Sequence, residues 1–314
     1  MKFNRKALAA VFCAAAALFS ALVTAGCSDT QTPDGGQNGT ATADSAQAPE
    51  ALRRVGIDPS SLNIYPEVLH DASHKAGFQL EAPDPGDTIA VIHTTKGDFT
   101  VRFFPDLAPK TVTNFINLAR DGKYNNTTFH YVAADVGIQG GYCGGADTPN
   151  GLSSYGSDFE DEFCDTLLNL RGAVSMGSGA KDSNGSSFFI NVKTPDTFAD
   201  DGGWNSLESM WSDTLSQLDD YKDSGLLTHF VEENGYRFLN TDAVPQDVKA
   251  LYDKVGGNPC YDGAFNAADS GRTVFAQVIS GMETVDAIAA LKTDSKGLPF
   301  DTVAVTSVEI KNYQ

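Results

Sequence analysis

The chain has 314 residues, 41% of them hydrophobic and 20% charged, with 22 Lys+Arg against 41 Asp+Glu and a formal net charge of -19. This is the composition of a folded globular chain, and it excludes collagen-like, wholly disordered and multi-span membrane proteins. Phosphate backbones attract clustered Lys and Arg, so no nucleic-acid partner is expected; the acids read as a solvated, self-repelling surface.

Lys2, Arg5 and Lys6 precede an apolar run from Ala7 to Val23, broken only by Ser20 and followed by Thr24-Ala25-Gly26-Cys27. A basic start, a short apolar stretch and small residues make an export signal, here residues 1–26. The run Leu22-Val23-Thr24-Ala25-Gly26-Cys27 resembles a bacterial lipoprotein box, with Thr24 where leucine is commonest. The resemblance implies lipidation of Cys27 and an extracytoplasmic protein anchored to the bacterial cell membrane. The alternatives are a plain signal peptide or an uncleaved anchor. Ser28 to Glu50 contains no large apolar residue, so 27–50 is expected to be a flexible tether. Its root-mean-square reach is roughly 25 Å. Among the remaining cysteines Cys143, Cys164 and Cys260, a Cys143–Cys164 disulfide and a pair of free thiols are equally open. No metal-ligand spacing is present and no cofactor is expected.

Residues 51–86 form an N-terminal extension, with helices expected within Ala51 to Gly77 and a Pro-rich turn at Pro83 to Gly86. The main folded domain is placed at 87–312. Thr88 to Thr94 and Phe99 to Phe104 alternate as a hairpin around Thr95-Lys96-Gly97-Asp98. Ala108-Pro109 opens a helix with Val112, Phe115, Ile116 and Leu118 inward, ending at Asp121-Gly122. Further strands are expected at Thr127 to Val132, Gly172 to Met176, Ser186 to Val192, Thr273 to Ile279 and Val303 to Ile310, with a helix at Met282 to Leu291. Many short strands with two helices and no strand–helix alternation predict a mainly β, antiparallel barrel.

Several segments, in order, carry a family resemblance: Thr95-Lys96-Gly97-Asp98, Phe104-Pro105, Ala108-Pro109-Lys110-Thr111-Val112, Thr128-Phe129-His130, Ile138-Gln139-Gly140-Gly141 and Phe159-Glu160-Asp161-Glu162. Arg171-Gly172-Ala173-Val174-Ser175-Met176, Asn184-Gly185-Ser186, Phe188-Phe189-Ile190, Thr273-Val274-Phe275 and Gly281-Met282 continue it. The series resembles the cyclophilins. The resemblance implies a closed eight-stranded antiparallel β-barrel capped by two helices and peptidyl-prolyl cis-trans isomerase activity without a cofactor. In that family an arginine donates to the proline nitrogen, a hydrophobic pocket holds the proline ring, and a glutamine and backbone groups fix the flanking peptide.

Carried over position by position, the site is altered. Tyr131 stands at the arginine position, and Val136 and Gly137 at the pocket phenylalanine and methionine positions. Gln139 and Phe189 match, Gly177 and Ser178 occupy the Ala-Asn positions that present backbone, and Ser187 replaces a glutamine. The pocket tryptophan position falls near Cys260-Tyr261, and the pocket histidine aligns with Arg272. A tyrosine hydroxyl donates without formal charge, and neutral hydrogen bonds are about half as strong as charge-assisted ones. A shallower, slower proline site is therefore expected. Arg272 has two readings, a guanidinium reaching the site from the opposite rim or a surface ion pair; His130 reads as a core or a hydrogen-bonded histidine and not as a catalyst.

An insertion at 193–260 interrupts the family pattern. Helices are expected from Asn205-Ser206 (Leu207, Met210, Trp211, Leu215, Leu218), from Gly225 to Asn234, and from Pro245 to Gly256 (Val248, Leu251, Tyr252, Val255). They either pack together on the barrel or rebuild the pocket wall, with Trp204 or Trp211 against a peptide. Two functions compete: a lipid-anchored prolyl isomerase acting on proline-containing peptides or unfolded exported proteins, and a non-catalytic cyclophilin-like module that binds peptides or a protein partner.

Overall fold

The computed structural model describes residues 67–144, 148–221, 239–266 and 271–314. The strands are β1 (Val68–Leu69), β2 (Thr88–Thr94), β3 (Gly97–Phe103), β4 (Tyr131–Ala133) and β5 (Gly137–Gly140), then β6 (Phe163–Cys164), β7 (Ala173–Met176), β8 (Phe188–Asn191), β9 (Val274–Ser280) and β10 (Val305–Asn312). The helices are α1 (Pro109–Arg120), α2 (Pro195–Asp200), α3 (Gly203–Tyr221), α4 (Gln246–Val255) and α5 (Met282–Ala289).

Eight strands form one antiparallel sheet in the order β10-β2-β3-β9-β7-β8-β5-β4, and β1 and β6 form a separate parallel pair. The sheet curls into a half-barrel. The closed barrel expected from the sequence is not formed, because no ladder joins the edge strands β4 and β10. Near that seam, Thr128 and Ala304 make an isolated bridge, with Phe129 N–H donating to Val303 O. The stretch expected as a strand from Thr127 is therefore mostly single bonds, and pairing in β4 starts only at Tyr131.

Period-two alternation puts Phe99, Val101, Ile138 and Phe188 on the concave face, where α1 packs. Phe115 of α1 sits at the centre, its ring in contact with Phe103, Tyr124, Phe188 and Phe275. Pro109 begins α1 where a missing N–H costs nothing. The next two donors are satisfied from a distance: Lys110 N and Thr111 N donate to the Glu162 carboxylate at 3.0 and 2.8 Å. A carboxylate there also complements the positive end of the helix dipole.

Of the N-terminal extension, residues 51–66, where most of the expected helix falls, lie outside the described residues. From residue 67 the chain forms β1 and turns rather than a helix. Phe78–Leu80 is a single 3-10 turn that inserts Gln79, fully buried, into the domain. The Gln79 side chain donates to Leu168 O and Gln277 Oε1 and accepts from Leu168 N, all within 2.9 Å.

In the insertion, α3 and α4 match the expected first and third helices, with α3 opening at Gly203; the expected second helix lies outside the described residues. The short α2 was not expected, although Thr194-Pro195 is a start signal: Thr194 Oγ1 accepts from Thr197 N at 3.1 Å. These helices bury a second core, in which Phe198, Trp204, Val248 and Tyr252 pack on Leu168 and Leu170. Trp204 Nε1 donates to Lys249 O and Trp211 Nε1 to Asp242, so both indoles serve packing within the insertion. Cys143 and Cys164 are not joined and each is a free thiol, which corrects the disulfide alternative. Among the described residues no helix is long and apolar enough to cross a membrane.

Candidate active site

The candidate residues converge on the convex side of the sheet because of register. Tyr131 is paired with Gln139, Gln139 with Phe189, and Phe189 with Ser175. Directly opposed residues share a face, so Tyr131, Gln139 and Phe189 form a row across β4, β5 and β8. Gln139 Nε2 donates to Gly177 O at 3.3 Å, and Gly177 N donates to Ser187 O at 2.8 Å, which ties the glutamine to the backbone expected to face a peptide. Ser187 is buried, and its hydroxyl has no hydrogen-bond partner. Ser178 beside it is half-buried.

Phe189 is not an open pocket floor. It is 1% exposed, despite facing outward from the barrel. Gly137 explains part of this: a Cβ there would overlap Phe189 Cζ, so the glycine lets the ring lie down on β5. The loss of a side chain at 137, expected to leave the site shallower, is instead filled by Phe189 itself. Tyr261, in the 3-10 turn Pro259–Tyr261, meets the ring edge-on with centroids 5.5 Å apart.

Arg272 completes the closure. Its guanidinium carbon lies 4.3 Å from the Phe189 ring centre and 4.5 Å from that of Tyr261. Among the described residues no carboxylate pairs with it, and two rings hold it instead. Its Nη1 is buried without a hydrogen-bond partner. A guanidinium held by two rings with a donor left over is poised to donate to an incoming acceptor.

Tyr131, by contrast, stands at the edge. Its ring packs against Gly297, and among the described residues its hydroxyl has no partner. Val136 N donates to Ala133 O in the turn between β4 and β5, and Val136 O accepts from Val192 N and Asn258 Nδ2. His130 makes a T-shaped contact with Tyr142, and burial pulls its pKa down, in keeping with a core role. Cys27 lies outside the described residues.

Sequence reasoning missed the polar layer beneath these residues. Asn169, Asn191, Asn258 and Asp262 are all buried and hydrogen-bonded to one another or to the backbone of the site. The available signal was Asn169 and Asn191 interrupting the apolar runs Leu167-Leu168 and Phe188-Phe189-Ile190.

The family model described as cyclophilin type peptidyl-prolyl cis-trans isomerase/CLD matches residues 89–209 and 256–310, more than half of the chain. The chain belongs to this family. A Staphylococcus aureus (strain COL) protein named "Putative peptidyl-prolyl cis-trans isomerase" is 34% identical over 226 residues, 72% of this chain and 93% of the relative. A Staphylococcus saprophyticus protein of the same name is 34% identical over 233 residues, 74% of this chain and 96% of its own. Among solved structures, a cyclophilin type isomerase of Cryptosporidium parvum is 22% identical with a TM-score of 0.46, covering 73% of this chain and 99% of that one. The cyclophilin match skips residues 210–255, which include the larger part of α3 and all of α4.

Proposed function

We propose that this cyclophilin is a prolyl isomerase whose guanidinium comes from Arg272 rather than from residue 131, and that it works slowly on exported proteins from a lipid anchor at Cys27. The observation that carries the reading is the position of Arg272 over Phe189, with Nη1 unpartnered. The peptide bond resists rotation by about 18–20 kcal/mol because nitrogen shares its lone pair with the carbonyl. As the amide twists, that pair localises on the proline nitrogen and becomes an acceptor. A donor aimed there binds the twisted form better than either planar isomer, which is the whole of the catalysis; no bond is broken.

In this assignment Phe189 and Tyr261 hold the proline ring, Arg272 donates to its nitrogen, and Gln139 with the Gly177 and Ser178 backbone aligns the flanking residues. The site is closed at rest, so the Arg272 side chain must tip from the Phe189 face toward the proline nitrogen as a proline enters, while the backbone pair Arg272–Tyr261 stays in place, and this step supports reduced activity. The same closure favours a second reading, a non-catalytic module that binds a partner elsewhere. The export and anchoring part of the proposal rests on the sequence of residues 1–27.

Prolyl exchange on an Ala-Pro peptide, followed by NMR with purified protein, tests the reading. Acceleration that is lost in Arg272→Ala supports it. No acceleration, with peptide resonances still shifting, supports a binding module.

A further inference from the structure

We infer that Asp262 is a positioning residue for the prolyl site, holding the Arg272–Tyr261 pair over Phe189 and coupling it to the inserted helix that carries Tyr252. The inference rests on the assignment of Arg272 above.

Tyr261 and Arg272 are held together through their backbones: Arg272 N donates to Tyr261 O at 2.9 Å. Both carbonyls then accept from one side-chain amide, that of Asn169, at 2.9 Å from Tyr261 O and 3.4 Å from Arg272 O. An amide group points its two hydrogens where its plane dictates, so the orientation of Asn169 sets where the pair sits. Asp262 sets that orientation. Its Oδ1 accepts from Asn169 N at 2.7 Å and from Asn169 Nδ2 at 3.2 Å, while its Oδ2 accepts from Tyr252 Oη at 2.5 Å.

The far side of Asn169 is fixed as well. Asn191 Nδ2 donates to Asn169 Oδ1 at 3.2 Å, and Asn258 Nδ2 donates to Asn191 Oδ1 at 2.7 Å and to Val136 O at 2.9 Å. The chain of bonds thus runs from α4 through Asp262 and Asn169 to the guanidinium-bearing segment, and on to the turn beside Gly137. Tyr252 is fully buried and Asp262 4% exposed, so water cannot substitute for a lost partner. A carboxylate buried at this depth costs stability compared with an apolar side chain, and hydrogen-bond directionality is what it offers in return.

The test compares wild type, Asp262→Asn, Arg272→Ala and the double variant, each by prolyl exchange and by the guanidinium NMR resonance of Arg272. In wild type that resonance is shifted by the ring currents of Phe189 and Tyr261. In Asp262→Asn we expect it to move toward the position of a free arginine and exchange to slow about tenfold, within the range of coupling between contacting groups. In the Arg272→Ala background Asp262→Asn should slow exchange no further. Tyr252→Phe, which removes one hydroxyl, should move the resonance the same way by a smaller amount and guards against an unfolded Asp262→Asn. A resonance that stays ring-shifted in both variants, or a slowing by Asp262→Asn that persists without Arg272, overturns the inference. If Arg272→Ala leaves exchange unchanged while Asp262→Asn still moves the resonance, the positioning stands and the catalytic assignment of Arg272 fails.

Discussion

Arg272 and Phe189 are stacked, the guanidinium carbon 4.3 Å from the ring centre, in a chain whose residue 131 is tyrosine. Because Tyr131 lies at the sheet edge against Gly297 while Arg272 lies on Phe189, the two positions should differ sharply in effect. Arg272→Ala is expected to reduce exchange on the order of 10²–10³-fold, as for other donors aimed at developing charge. Tyr131→Phe should change it less than about twofold. Comparable losses in the two variants would sink the assignment.

Gly137 carries a steric consequence. A methyl group at 137 overlaps Phe189 Cζ, so Gly137→Ala must push the ring off β5. Overpacking of this kind costs about 1–3 kcal/mol. Urea unfolding should show a lowered midpoint with an unchanged slope; an unaltered midpoint would mean that the ring does not rest there.

Asp262 imposes a pH dependence of known sign. Burial raises its pKa to about 7, with Tyr252 and Asn169 opposing the shift, while an unfolded aspartate titrates near about 4. A raised carboxyl pKa gives stability that is fully present below about pH 4 and lost as pH rises toward 7, at about 1.4 kcal/mol per pH unit. Asp262→Asn cannot ionise, so its stability relative to wild type should rise between pH 4 and 7. Denaturant midpoints for both proteins at several pH values check this, and a constant gap would contradict it.

Glu162 caps α1 from outside the helix through Lys110 N, Thr111 N and Thr111 Oγ1. Glu162→Ala should destabilise the domain by about 0.5–2 kcal/mol, the usual cost of a lost cap. Exposed Glu309→Ala is the control, and equal midpoints in the two variants would remove the capping role.

Trp204 tests the insertion. Trp204→Phe keeps an aromatic ring but loses the bond to Lys249 O, for a cost of about 1 kcal/mol. Prolyl exchange should stay at the wild-type rate. A slowed rate with unchanged stability would revive peptide contact by the indole.

The hairpin β2–β3, helix α1 and strand β9 were legible in the sequence because local signals and the core pattern agree there: alternation, a Gly-containing turn and Pro109 at a helix start. The seam between β4 and β10 was not legible, since whether two edges meet depends on the curl of the whole sheet rather than on any local run. At the site, Gln139 and Phe189 were readable from motif spacing. The posture of Phe189 was not, because it depends on an absent side chain two residues before its partner Gln139 in register. Arg272 was readable as a candidate only; that it stacks instead of pairing with an acid follows from the position of Tyr261, 11 residues earlier in the chain and adjacent in space. Asn169 and Asp262 escaped notice because isolated polar residues in sequence carry no mark of the partners they will find.

The Gln79 clamp has a mechanical consequence. A pull applied to the chain ahead of residue 67 meets β1, lying parallel to β6, and then the three buried hydrogen bonds of Gln79, before it reaches β2. Force delivered from that end is therefore spread onto Leu168 and Gln277, inside the domain, and the long ladder between β2 and β10 is spared from being unzipped one bond at a time.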